Sequence, residues 1–147
     1  MKSHPFIRQD KSVLLDTNLL MVYLIALLGE GEVESYKKTS EYTTEDALIL
    51  NSILKGFKNI ITTPQVIAET ANLLDWLHGN KQRVALGLLK LFIEQVDENY
   101  LDSKTISNSK GYLKLGITDS ALFELCHNEK IVLLTADVEL YGFAVGH

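Results

Sequence analysis

Lys11-Ser-Val-Leu-Leu-Asp-Thr-Asn-Leu-Leu20 sets a short apolar run, an aspartate and a second apolar run in immediate succession. Ser12 to Leu15 lacks polar alternation, as expected of a strand covered on both faces of a parallel sheet. Asp16 falls at the carboxyl end of that strand. Thr17 or Asn18 is the expected cap of a helix over about Leu19 to Leu28, apolar nearly all round and therefore deeply buried, which stops near Gly29.

Ile131-Val-Leu-Leu-Thr135 is a second run of the same kind, and it leads into Ala136-Asp137. Two strands thus end in an aspartate. Asn59-Ile-Ile-Thr-Thr63 is a further strand, with Pro64 well placed at the first turn of the helix that follows. Strands alternating with helices imply right-handed crossovers, hence an α/β fold of three layers, α/β/α, around a short central parallel sheet. In such sheets the ligand crevice lies outside the carboxyl ends of the strands, the edge that Asp16 and Asp137 occupy.

The connecting segments carry their own signals. Gly29 to Thr44 holds Glu30, Glu32, Glu34 and Glu41 and reads as an acidic surface insertion, partly helical. Thr43 or Thr44 caps a helix over Glu45 to Lys55, in which Leu48, Ile49, Ser52 and Ile53 recur near a helical period. The helix after Pro64 places Val66, Leu73, Leu74 and Leu77 on one stripe with Glu69 at its edge. A helix over about Lys81 to Gln95, with Val84, Leu88, Leu91 and Phe92 at helical spacing, completes a hairpin that offers a dimer or partner surface. A helix from about Ser103 ends at Leu115 before Gly116, and Thr118 or Asp119 caps the next, which runs to about His127 with Leu122, Leu125 and Cys126 inward.

The 147 residues suit one domain, with 46% hydrophobic and 22% charged residues and no repeat or low-complexity tract. A single cysteine, Cys126, permits no internal disulfide. The segment before the first strand lacks the apolar core of a secretory signal, and Leu19 to Leu28 is too short for a bilayer, so a cytoplasmic protein without membrane association is expected. The net charge of −5 argues against a whole-surface polyanion binder, although metal-holding carboxylates themselves contribute negative charge.

Asp16, Glu69, Asp119 and Asp137 all fall where strand ends and helix starts could bring them together. Carboxylates gathered that closely repel unless some protonate or a cation neutralises them. Oxygen ligands favour Mg²⁺ or Mn²⁺, whereas one cysteine and four histidines without paired spacing (His4, His78, His127, His147) resemble no zinc site. Such a centre suits phosphodiester hydrolysis, with no side-chain nucleophile required. Asn18 is positioned to orient Asp16 or a bound water, Thr135 to support Asp137, and Thr118 or Ser120 to support Asp119.

The segments Leu14-Leu-Asp-Thr-Asn-Leu-Leu20, Thr63-Pro-Gln-Val-Ile-Ala-Glu69, Gly116-Ile-Thr-Asp-Ser-Ala-Leu122 and Leu133-Leu-Thr-Ala-Asp137 resemble the four acidic motifs of PIN-domain ribonucleases. Their order and spacing cover nearly the whole chain. The resemblance implies a PIN-like fold over residues 1–147 and an endoribonuclease acting on single-stranded or structured RNA. It also implies a Mg²⁺ or Mn²⁺ site at Asp16, Glu69, Asp119 and Asp137, with Asn18 and Thr135 in support. Many small members are toxins of bacterial or archaeal toxin–antitoxin pairs, which makes an antitoxin protein or a second copy the implied partners. A fifth short strand is the family's usual ending, here at Tyr141-Gly-Phe-Ala-Val145.

Structural readings stand beside these. Asp119 alone reads as a helix cap, Glu69 alone as a solvent-facing acid, and Asp137 alone as a turn residue. Asp16 between two apolar runs is harder to explain without a partner, because an unpaired buried carboxylate is costly. Trp76 reads as core or an interface anchor rather than a stacking platform for RNA, and Lys104, Lys110 and Lys114 as a solvated face that can also guide an RNA backbone. A non-catalytic RNA- or protein-binding module of the same fold is the alternative. A phosphohydrolase of the haloacid dehalogenase type needs an aspartate where this chain has Asn18, and a receiver-like domain needs adjacent acids and a late lysine that are not evident.

Overall fold

Four strands run in parallel in the order β3-β2-β1-β4, where β1 is Arg8–Leu15, β2 Phe57–Thr62, β3 Asp97–Glu98 and β4 Ile131–Leu134. The computed structural model describes residues 8–136 and Leu140. The fifth strand expected near Tyr141 lies outside the described residues. β1 is central, pairing Val13 with Ile60 on one side and with Val132 on the other. Val13 and Leu14 are fully buried, which is why this run needs no polar alternation. The strand starts earlier than the apolar run, at Arg8, with a register shift between Arg8 and Ser12.

Helices cover the sheet to give the three-layer α/β/α arrangement: α1 (Thr17–Ala26), α2 (Glu32–Ser35), α3 (Thr44–Leu54), α4 (Pro64–Leu74), α5 (Asn80–Gln95), α6 (Ser103–Ser107) and α7 (Tyr112–Leu125). α1 is buried through Leu20, Met21, Val22, Leu24 and Ile25, as its all-round apolar surface requires, and α2, α3, α4 and α5 all pack on it. None of the described helices is long and apolar enough to cross a membrane.

Several expectations are corrected. The cap of α1 is Asp16 itself, extended at φ −75°, ψ 169°, whose side chain accepts the Leu19 N–H. The apolar positions named for α3 point outward: Leu48 and Ile49 are more than half exposed, while Ala47, Leu50 and Leu54 are buried. In α5 the buried stripe is Ala85, Leu89 and Phe92, with Val84 and Leu91 outside. Both helices are apolar on more than one face, and the face carrying an alanine lets the backbones approach most closely. The helix expected from Ser103 to Leu115 is broken: α6 ends at Ser107, Asp102 caps it by accepting the Thr105 N–H at 2.7 Å, and α7 begins at Tyr112. Asp97–Glu98, paired with Ile61 and Thr62, is a strand too short to leave a periodic signal.

The 29–44 insertion is less peripheral than its charge implies. Val33, Tyr36 and Thr39 are buried, spaced three apart so that one side of the segment faces inward. The Tyr36 hydroxyl donates to the Leu73 carbonyl, and Thr39 Oγ1 donates to the Val33 carbonyl at 2.7 Å. Thr43 then starts α3 with a capping box, its hydroxyl accepting the Asp46 N–H while the Asp46 carboxylate accepts the Thr43 N–H.

Burial, helped by the Asp75 carboxylate, raises the Tyr36 phenol above its ordinary pKa. The unfolded chain therefore ionises this group first as pH rises, so the stability it contributes is whole below the ordinary phenol range and is lost through it and above. Tyr36→Phe keeps the ring but removes the ionisable group. Urea denaturation followed across alkaline pH should show a shallower loss of stability in that variant.

Candidate functional site

The strand order reverses at β1, because the chain moves outward through β2 and β3 and then returns to place β4 on the other side. The crevice of such a sheet opens at this reversal. Asp16 stands there. Its backbone N–H extends the ladder to the Leu134 carbonyl at 3.2 Å, which fixes the residue between the carboxyl ends of β1 and β4.

Asp16 is only 2% exposed and its carboxylate is held on both oxygens. Oδ1 accepts the Leu19 N–H at 2.8 Å, and Oδ2 accepts the Ala136 N–H at 2.9 Å and the Thr135 hydroxyl. Sequence reasoning assigned Thr135 to Asp137; the structure turns its hydroxyl to Asp16. Three donors around one buried carboxylate are the compensation that an ionised form requires. Asn18 is exposed on the first turn of α1.

Thr63 caps α4 through the Val66 N–H at 3.2 Å, with Pro64 at the first position. Glu69, exposed on this helix, accepts a hydrogen bond from Thr118 Oγ1 at 3.0 Å. That bond ties α4 to α7 at the residue preceding Asp119, which is half-buried and has interactions of its own. Thr118 and Asp119 are not caps. Gly116, at φ 81° and ψ 179°, breaks the helical geometry of α7, and both residues lie in the first turn beyond the break.

Asp137 lies outside the described residues. Among the described residues no three His, Cys, Asp or Glu side chains form a group able to hold a metal ion. The hydroxyls of Thr17, Thr70 and Ser120 are nevertheless buried without a hydrogen-bond partner among the described residues. Each directly follows a candidate acid: Asp16, Glu69 and Asp119 respectively. Buried polar atoms of this kind are usually satisfied in native proteins, by water or an ion where the chain supplies nothing. Carboxylate and hydroxyl oxygens are the donor type a hard divalent cation takes. These hydroxyls adjoin the acids in sequence only, and Thr62 Oγ1 and Gln65 Oε1 are buried without a partner among the described residues in the same way.

Tyr42, at the end of the insertion, carries no signal in the sequence that marks it as functional. With Leu19 and Leu134 it lines a groove of about 370 Å³ beside α1 and β4. Burial first, and then the negative charge of Asp16, Glu41 and Asp46, raise its phenol above the ordinary value, so a neutral hydroxyl faces the field of the Asp16 carboxylate. Lys110 and Lys114 are both exposed, and Lys110 borders a polar cleft in which Ser109 Oγ donates to Glu124 at 2.7 Å and His127 stands 3.9 Å from the same carboxylate. Cys126, with its thiol raised by burial, donates to the Phe123 carbonyl.

No protein-family model matches the chain, and no curated protein is significantly similar to it.

Two substitutions test the local account. Asp16→Ala strands the Leu19 and Ala136 N–H groups and should cost about 2–4 kcal/mol in urea denaturation, whereas Asp16→Asn keeps one accepting oxygen for the cap but turns its NH2 toward the Ala136 N–H, and should cost about 1–3 kcal/mol. Gly116→Ala forces a side chain into a backbone region that is nearly restricted to glycine, and should lower stability by about 1–3 kcal/mol in the same measurement.

Proposed function

We propose that this chain is a metal-dependent endoribonuclease of PIN type that hydrolyses phosphodiester bonds in single-stranded or structured RNA. The observation that carries the reading is Asp16, buried at the point where the strand order reverses and hydrogen-bonded by donors from α1 and from the segment after β4. A carboxylate buried there, with its protein donors occupying only part of its acceptor capacity, supports a role as ligand rather than as a purely structural cap.

Asp16, Glu69, Asp119 and Asp137 are the residues that would hold Mg²⁺ or Mn²⁺. When bound, the ion would supply an activated water and neutralise charge on the phosphate. Thr135 fixes the direction of the Asp16 carboxylate, and Thr118 does the same for Glu69. Asn18 offers an exposed amide to a bound water or phosphate oxygen beside Asp16. Tyr42 contributes a neutral donor on the other side of the crevice, and Lys110 and Lys114 guide the RNA backbone. In this reading the protein works in the cytoplasm. The exposed Leu48 and Ile49 of α3 and Val84 and Leu91 of α5 support a protein partner, either an antitoxin or a second copy.

Cleavage of a fluorescent single-stranded RNA, followed with Mg²⁺ or Mn²⁺ and with EDTA, tests the proposal. Cleavage should require the ion and vanish in Asp16→Asn, and Thr135→Val should lose about 10–100-fold in rate. Undiminished cleavage by Asp16→Asn overturns the assignment, and RNA binding without cleavage under every ion supports the non-catalytic module instead. The double change Lys110→Ala with Lys114→Ala should weaken binding and lower the slope of log affinity against log salt by about 1.4, at roughly 0.7 per charge on a single strand. An unchanged slope removes the two lysines from the RNA path.

A further inference from the structure

Trp76, the sole tryptophan of the chain, is not core: it is 56% exposed in the turn between α4 and α5. Two ammonium groups stand over its ring, Lys38 Nζ at 4.5 Å and Lys37 Nζ at 5.5 Å from the centroid. Both lysines come from the 29–44 insertion. They occupy the positions between two buried anchors, Tyr36, whose hydroxyl reaches the Leu73 carbonyl of α4, and Thr39, which bonds back to Val33. The anchors fix the turn in place and leave the two cations to the indole.

The two cations are set on the indole in a chain with 19 acidic and 14 basic side chains, where carboxylates are the more numerous partners. Ion pairs are the expected fate of lysines among so many carboxylates. Among the described residues, however, neither Lys37 nor Lys38 forms one, although Lys81 pairs with Glu32 of the same insertion. Asp75, beside Trp76 in sequence, lies within hydrogen-bond range of the Gln82 amide at 3.4 Å. A contact whose purpose was to glue the insertion down would bury the ring, and here more than half of it faces solvent.

We propose that Trp76 with Lys37 and Lys38 forms a binding subsite for single-stranded RNA, the indole stacking on a base and the two ammonium groups taking the flanking phosphates. A cation–π contact at an exposed site is weak and readily exchanged, so the lysines move from ring to phosphate as a base takes the ring face. α4 leaves the carboxyl edge of the sheet at Pro64 and ends at Leu74, about 15 Å further on at 1.5 Å per residue, and Trp76 follows in the turn beyond it. A strand engaging both places must span several nucleotides, which favours a polynucleotide over a free nucleotide. The choice of RNA over DNA rests on the ribonuclease reading; the stacking and phosphate contacts do not.

Fluorescence excited at the red edge of indole absorption, where the six tyrosines do not absorb, reports on Trp76 alone and needs neither metal nor cleavage. In EDTA, titration of the full chain with oligoadenylate RNA should quench this emission, while adenosine monophosphate at the same nucleotide concentration should not. Lys37→Ala with Lys38→Ala, checked for folding by circular dichroism, should lower the salt slope of binding by about 1.4. With a labelled oligoadenylate read by anisotropy, Trp76→Ala should bind about tenfold more weakly and Trp76→Phe should recover part of that loss. Because the titration reads binding in EDTA and not cleavage, a failed nuclease reading leaves this result standing. Emission unmoved by the oligonucleotide, or affinity unchanged in both the lysine and tryptophan variants, overturns the proposal. Equal quenching by the mononucleotide overturns the strand in favour of a free nucleotide.

Discussion

A buried negative charge must be met by donors or neutralised, and in this protein one such charge joins three parts of the chain. The Asp16 carboxylate takes a backbone N–H from the first turn of α1 and a second, with a hydroxyl, from the residues just after β4. Between these contacts run about 120 residues of sequence separation, closed by a side chain that reaches no solvent of consequence. Desolvation makes each donor indispensable, since removing any one leaves the carboxylate short of compensation in a low-dielectric setting. The same group that starts a helix therefore also holds the carboxyl ends of β1 and β4 together.

From that constraint the candidate chemistry follows in order. A parallel sheet whose strand order reverses at β1 must open there, and the residue at the opening is the one carboxylate that the fold has already desolvated and oriented. Glu69 on α4 is tied by the Thr118 hydroxyl to α7, the helix that carries Asp119. The hydroxyls of Thr17, Thr70 and Ser120, each next in sequence to one of these acids, are buried without a hydrogen-bond partner among the described residues.

β1 and the acid at its end were legible in the sequence, because a strand buried on both faces has no polar residue to spare and a lone aspartate at its end stands out. β4 was legible from its apolar run, although its residues are only part-buried. The caps at Thr43 and Thr63 were legible for the same local reason: a hydroxyl meets an N–H three residues on. Helix orientation was not. α3 and α5 carry apolar residues on two faces, and the choice between Leu48 with Ile49 and Ala47 with Leu50 is made by how closely α1 can be approached, which no single helix records. The buried side of the insertion, Val33, Tyr36 and Thr39, was obscured by four glutamates, and Tyr42 and Trp76 owe their positions to tertiary neighbours alone. Asp137, named from its place after the last strand, lies outside the described residues.

β3 consists of two residues, and both are acids. Asp97 also accepts a hydrogen bond from the Asn59 side chain on β2, so its carboxylate is directed across the sheet. A neighbouring molecule that tried to add a strand to this margin would find a ladder that ends after two positions, and would bring its own backbone carbonyls toward fixed negative charge. Strand addition on that side is thereby discouraged by length and by electrostatics together, a form of protection against edge-to-edge aggregation that costs the fold very little pairing.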